Sequence, residues 1–217
     1  MVSQYRFTIL LGALLLVLGV FPFIDYFDLM GIDFLLKIFI TLLLLSCINA
    51  LSESRRQLIL AVIVIVPAIF LDWAGIFVQS PVFEILVAIF RIGAFGFVCY
   101  RLLGYALRAG AVDGEKIAAA VNVYLIIGVI WRDFYILVNA FIPDAFNTGL
   151  LSQTDYLYYS FVTLTTLGYG DILPVIGPAK ALAYMEAIIG QLYLTILVAR
   201  LMGLHIAYTG PKRRDRD

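Results

Sequence analysis

Residues 154–171 read Thr154-Asp155-Tyr156-Leu157-Tyr158-Tyr159-Ser160-Phe161-Val162-Thr163-Leu164-Thr165-Thr166-Leu167-Gly168-Tyr169-Gly170-Asp171. The part from 156 to 167 is apolar and aromatic, yet the surrounding segment, 142–178, is polar and repeatedly broken by Pro and Gly. Long apolar stretches flank it on both sides. That pattern reads as a re-entrant segment, because irregular backbone is tolerated at membrane depth only where protein surrounds it or it lines water. Thr154 or Asp155 can cap a short helix running to about Thr165. The C-terminal end of such a helix carries a partial negative charge that favours a cation.

The rest of the chain fits a lipid setting. Of its 217 residues, 63% are hydrophobic and 14% charged, with a mean hydropathy of +1.01. A water-soluble surface needs more charge than that. The formal net charge of +0 gives no global field for nucleic acid. Cys47 and Cys99 sit in apolar stretches and suggest neither a metal site nor a disulfide. Residues 1–24 carry one cation, Arg6, and no small-residue cleavage site, so they read as a retained helix and not a signal peptide.

A spanning helix needs roughly 20 apolar residues. By that rule six segments are expected to span, at about 7–24, 34–51, 57–73, 82–107, 116–141 and 179–205. Arg6, Arg55, Arg56, Arg108, Lys116, Lys212, Arg213, Arg214 and Arg216 fall on one side. Asp25, Asp28, Asp33, Asp72, Asp144 and Asp155 fall on the other. The positive-inside rule then places both termini in the cytoplasm of a cell (plasma or inner) membrane and the re-entrant loop on the outside. The basic tail can also touch anionic lipid.

The run Thr165-Thr166-Leu167-Gly168-Tyr169-Gly170-Asp171, after an aromatic helix and between two spans, resembles the potassium-channel signature. Leu167 stands where the commonest form has Val. The resemblance covers about residues 116–205. It implies an all-α membrane protein with six transmembrane helices, a re-entrant pore helix and filter loop between the fifth and sixth, and a homotetrameric pore. It implies a passive potassium channel subunit, not an enzyme, with permeant K+ as the only ion and no cofactor. Its ion-binding groups would be the carbonyls of Thr166, Leu167, Gly168, Tyr169 and Gly170, with the Thr166 hydroxyl. Such carbonyls replace a hydration shell. Pointing them the same way needs backbone angles that alternate in hand, which Gly168 and Gly170 reach without steric cost. Tyr158, Tyr159, Asp171 and Thr165 are implied as filter support, with Tyr158 and Asp171 hydrogen-bonded. Val162 replaces a buried carboxylate found in some members, so that contact is expected to be missing. Gly190 is placed as an inner-helix hinge or a close-packing site, and Gln191, Leu194, Thr195 and Val198 as cavity lining. The expected division is a four-helix membrane domain at 1–110, a pore domain at 111–207 and a basic tail at 208–217.

Ionisable residues inside a membrane are costly and point to partners. Arg132, Asp133 and Glu186 are expected at similar depth, with Arg132 pairing to Glu186 and tying outer helix to inner helix. In the fourth span Arg91, Arg101 and Arg108 are too widely spaced for a voltage-sensing ladder. Only Arg91 lies deep, with Glu84 two helical turns earlier as its candidate partner, so weak or absent voltage dependence is expected. A single charge is worth only ~2.3 kcal/mol per 100 mV. His205 reads as a passive anchor more than a pH sensor. The alternatives are a poorly selective cation pore, a non-conducting modulatory subunit, or a transporter or membrane enzyme built on Arg132, Asp133 and Glu186. The last leaves the loop unexplained, and no nucleophile–base or metal-ligand set is visible.

Overall fold

The computed structural model describes residues 5–26, 32–50, 55–78, 80–149 and 151–209. These form α1 (Arg6–Tyr26), α2 (Ile32–Ala50), α3 (Arg55–Ala74), α4 (Pro81–Ala106), α5 (Gly114–Phe141), α6 (Gln153–Leu164) and α7 (Gly177–Thr209). The one β pairing among the described residues is an isolated bridge between Phe146 and Pro174.

Local chemistry sets the helix starts. Asp113 caps α5 by accepting from the Lys116 backbone N–H at 2.9 Å. Pro81 opens α4, where its missing N–H is no loss. The first turn of α1 is capped across space: Phe7 and Thr8 N–H donate to the Glu115 carboxylate of α5 at 2.9 and 3.2 Å. That contact pins the two helix starts together. Asn122 reinforces it by donating to the Phe7 carbonyl at 2.8 Å.

One apolar core runs through the bundle. It takes Leu10 and Leu14 from α1, Leu44 from α2, Ile65 from α3, Phe95 and Leu102 from α4 and Val123 and Ile126 from α5, and it reaches Leu157 of α6 and Leu197 of α7. A second cluster, rich in aromatics, gathers Trp131, Tyr135, Phe146, Tyr156 and Tyr159 behind α6. α7 is the least covered spanning helix. Only 17% of its apolar window is buried within the chain, against 56% for α5, so most of α7 must be covered by lipid or by other chains.

The expectation of six transmembrane helices is not met. Among the described residues, three helices are long and apolar enough to cross a membrane: Pro81–Ala106, Gly114–Phe141 and Gly177–Leu204. They make this a multi-pass membrane protein. The apolar runs described in α1 and α3, Arg6–Val20 and Leu58–Ala74, are shorter. α3 carries Arg55 and Arg56 in its first turn, Pro67 inside it and Asp72 near its end. The fold is an all-α bundle of seven described helices, not the six-span architecture. The tail expected at 208–217 lies almost wholly outside the described residues, as do Asp28 and residues 1–4.

Candidate functional site: the loop from Thr165 to Asp171 and its supports

The short helix α6 is held from both ends and both sides. Ser152 is its N-cap, with a capping box in which Ser152 Oγ accepts from the Asp155 N–H (3.1 Å) and Asp155 accepts from the Ser152 N–H (2.8 Å). The cap expected at Thr154 or Asp155 thus falls on Ser152, and Asp155 completes the box from inside the helix. On one side of α6, Gly128 of α5 leaves room for the Phe161 ring, which lies 2.8 Å from where a Cβ would stand. On the other, Gly190 of α7 lies against the Leu164 carbonyl, 2.5 Å from an added Cβ. Two glycines on neighbouring helices therefore let α6 sit between them. Behind it, Tyr159 stacks edge-on against Tyr135 (4.8 Å) and Phe146 (5.2 Å).

The chain that leaves α6 has an unusual backbone. Thr166, Gly168 and Gly170 have φ of 59°, 58° and 82°, while Leu167 and Tyr169 between them stay at negative φ. Left-handed and right-handed residues thus alternate. The N–H groups turn back onto the last turn of α6: Thr166 donates to Thr163 O (2.9 Å), and Leu167 and Gly168 donate to Val162 O (2.9 and 3.3 Å). Among the described residues, the carbonyls of Thr166 to Gly170 receive no hydrogen bond. Thr166 is β-branched and pays for its positive φ in strain, which marks a position over-determined by its surroundings. The arrangement can offer a row of carbonyl oxygens to a cation. Leu167 and Tyr169 are 55% and 68% exposed, so in a single chain their side chains lack a packing partner.

Replacing Gly168 or Gly170 by Ala puts a Cβ into the left-handed region, at about 1–2 kcal/mol per residue. Either substitution is expected to lower ion flux in proteoliposomes while the protein still inserts and folds by circular dichroism.

The loop is anchored at its C-terminal end. Tyr158 Oη donates to Asp171 Oδ2 at 2.7 Å. Asn147, which the sequence reading did not single out, donates to Asp171 O (3.2 Å) and accepts from the Leu173 N–H (2.6 Å). The Phe146–Pro174 bridge lies beside it. An Asn in an apolar-flanked loop has many structural uses, and only the tertiary pairing reveals this one. The hydrogen bond to Asp171 pushes the Tyr158 phenol up to about 12, and the same bond holds the Asp171 carboxyl below its ordinary value. Both groups are open to solvent. For Asp171 the sign is that of a depressed acid: its contribution is present above the ordinary carboxylate pKa and is lost as pH falls through the lower folded value. An absorbance titration is expected to show Tyr158 ionising at about 12, and back in the ordinary tyrosine range in Asp171→Asn.

Other expected site residues are placed as follows. Thr165 is the C-cap of α6, and its hydroxyl donates to Phe161 O at 2.7 Å. Tyr159 is buried in the aromatic cluster rather than on the loop. Gln191, Leu194, Thr195 and Val198 are all exposed on α7. Thr195 turns its hydroxyl to Gln191 O at 2.8 Å. α7 passes through Gly190 without interruption, so that glycine serves close approach to α6 and is not a break in the helix.

The ion pair expected between Arg132 and Glu186 does not form. Arg132 Nη2 instead meets Asp133 Oδ1 at 2.7 Å, because the two carry their own compensation on one helix. Asp133 also takes Arg91 Nη2 of α4 at 2.9 Å, and Arg91 Nη1 reaches Asp72 of α3 at 3.2 Å. Arg91 is thus matched by Asp72 and Asp133 and not by Glu84. This buried cluster ties α3, α4 and α5 together beside a cavity of about 420 Å³, lined in part by Lys37, Glu84 and Gln153. Glu186, fully buried, hydrogen-bonds Tyr135 of α5 and Ser160 of α6 (2.6 Å).

Residues 119–204 match the family described as "Ion channel". The match covers α5, α6, the loop and most of α7, less than half of the chain. No curated protein and no solved structure matches the chain. The chain therefore carries an ion-channel domain. The assignment to a six-helix potassium-channel family is corrected by the same findings, since the match names ion channels in general and, among the described residues, three membrane-length helices are present where six were expected. Among the described residues no group of His, Cys, Asp and Glu could hold a metal ion.

Proposed function

We propose that this chain is one subunit of a potassium-selective channel, with the ion held by backbone carbonyls of Thr166, Leu167, Gly168, Tyr169 and Gly170. The observation that carries the reading is the alternation of backbone hand at Thr166, Gly168 and Gly170, with N–H groups committed to α6 and carbonyls left open. Rings of such carbonyls can replace the hydration shell of K+. The C-terminal end of α6 adds partial negative charge beside the exposed Gln191–Val198 face of α7. One loop cannot surround an ion, and α7, Leu167 and Tyr169 lack cover within one chain. Four copies around one axis meet both needs. Residues 111–207 would form this pore unit and residues 1–110 a membrane domain packed on it, with both termini on the cytoplasmic side.

Arg91 is held by two carboxylates on two other helices. A charge so matched gives the membrane field little to move, so conduction depends weakly or not at all on voltage.

The test is purified protein in liposomes, with copy number read by native mass spectrometry and flux read by potassium uptake. The reading expects four copies and rapid K+ uptake that Gly168→Ala removes. A monomer, or uptake indifferent to Gly168→Ala, contradicts it.

A further inference from the structure

Glu186 has 0% exposure on a membrane-spanning helix and takes part in no ion pair among the described residues. What surrounds it is a set of short oxygen contacts. Ser160 Oγ lies 2.7 Å from Gly128 O and 2.6 Å from Glu186 Oε1, while Tyr135 Oη hydrogen-bonds Glu186 Oε2. Each of these three contacts needs a hydrogen between its oxygens. Ser160 and Tyr135 supply one each, and a backbone carbonyl supplies none. The remaining hydrogen has one available source, the carboxyl of Glu186. Charge points the same way, because a carboxylate buried without a cation is strongly disfavoured. The titratable groups nearest it, Tyr135 and Tyr124 of α5 and Tyr159 of α6, are neutral phenols at neutral pH.

We infer that Glu186 is held as a neutral carboxylic acid whose O–H donates to Ser160, making it a positioning residue that fixes α6 between α5 and α7. The donors then run in one direction: Tyr135 to Glu186, Glu186 to Ser160, Ser160 to the Gly128 carbonyl. This chain closes a loop through α5, α7 and α6 at the level where Gly128 admits α6. A directional chain of this kind is cooperative, so losing one link weakens the rest. The loop at Thr166–Gly170 hangs from the last turn of α6 and inherits its position.

The protonation claim stands on the oxygen geometry alone, whereas its effect on flux rests on the channel reading. The experiment separates them. Full-length protein in lipid at neutral pH is compared with Glu186→Gln by infrared difference spectroscopy. A protonated-carboxyl stretch present in the wild type and missing from Glu186→Gln is expected, and its absence from the wild type overturns the inference. In Ser160→Ala that stretch should move to the position of a non-donating acid, and an unmoved stretch also overturns it. Gln can reproduce the chain, its amide N–H donating to Ser160 and its carbonyl accepting from Tyr135. Potassium flux of Glu186→Gln should therefore stay within about twofold of wild type, while Glu186→Ala falls about tenfold or more. A folded Glu186→Gln as impaired as Glu186→Ala overturns the positioning role. If the wild type itself carries no flux, the channel reading fails and the infrared arms still decide the protonation.

Discussion

Asp133→Ala is expected to lower the unfolding free energy by about 3–5 kcal/mol, the range for removing one partner of a buried charge set. Asp133 is fully buried, and its Oδ1 serves two guanidinium groups, Arg91 at 2.9 Å and Arg132 at 2.7 Å. Without it Arg91 keeps Asp72, while Arg132 loses the carboxylate it pairs with. The cost comes from the uncompensated charge and not from the pair's net worth, which desolvation largely offsets. A detergent-titration unfolding curve on Asp133→Ala measures it. Asp133→Asn keeps the shape and a weak acceptor, so it should lose less. Equal stability of Asp133→Ala and wild type would mean the cluster is not buried as described.

The second large effect is at Gly190. A Cβ there would stand 2.5 Å from the Leu164 carbonyl oxygen and 2.8 Å from Leu164 Cδ1. A backbone oxygen cannot swing aside, so α7 must back away or the last turn of α6 must move. That turn holds the loop through Val162 O and Thr163 O. Overpacking of this kind costs about 1–3 kcal/mol. The functional loss should be larger than the stability loss, because a small displacement of the carbonyls is enough to spoil ion coordination. Gly190→Ala is therefore expected to fold and assemble but lose most potassium flux. Gly93→Ala on α4, with nothing within 4 Å of its added Cβ, is the control and should leave flux intact. Matching flux in the two variants would refute the close approach of α6 and α7.

How far the residues alone could lead depended on whether their chemistry is local. Gly168 and Gly170 announce positive φ by their identity, whereas the Tyr158–Asp171 contact was implied by the resemblance to potassium channels and not by the residues themselves. The Ser152–Asp155 capping box was equally local, spelled out at the required spacing, and was misplaced by only two or three residues. Partner choice among buried charges was not local. Arg132 and Glu186 lie at similar depth along their helices, but depth does not say which face a side chain occupies. Rotation of α5 and α7 leaves Arg132 on Asp133, which Arg91 of α4 also meets, and sets Glu186 against Tyr135 of α5 and Ser160 of α6. Gly128 was overlooked for the same reason, since a small residue in an apolar helix gains meaning only from the Phe161 ring opposite it. The span count failed differently. Among the described residues three helices, Pro81–Ala106, Gly114–Phe141 and Gly177–Leu204, are long and apolar enough to cross a membrane, and an apolar run in the sequence does not by itself say which helices those are.

The most direct measurement is the zero-current potential of the purified protein in a planar bilayer, with K+ on one side and Na+ on the other. A row of backbone carbonyls held by alternating residues at Thr166, Gly168 and Gly170 predicts a potential close to the K+ equilibrium value, and a shift towards zero in Gly168→Ala. A wild-type potential near zero would show a pore that does not distinguish the two ions, and would contradict potassium selectivity at this loop.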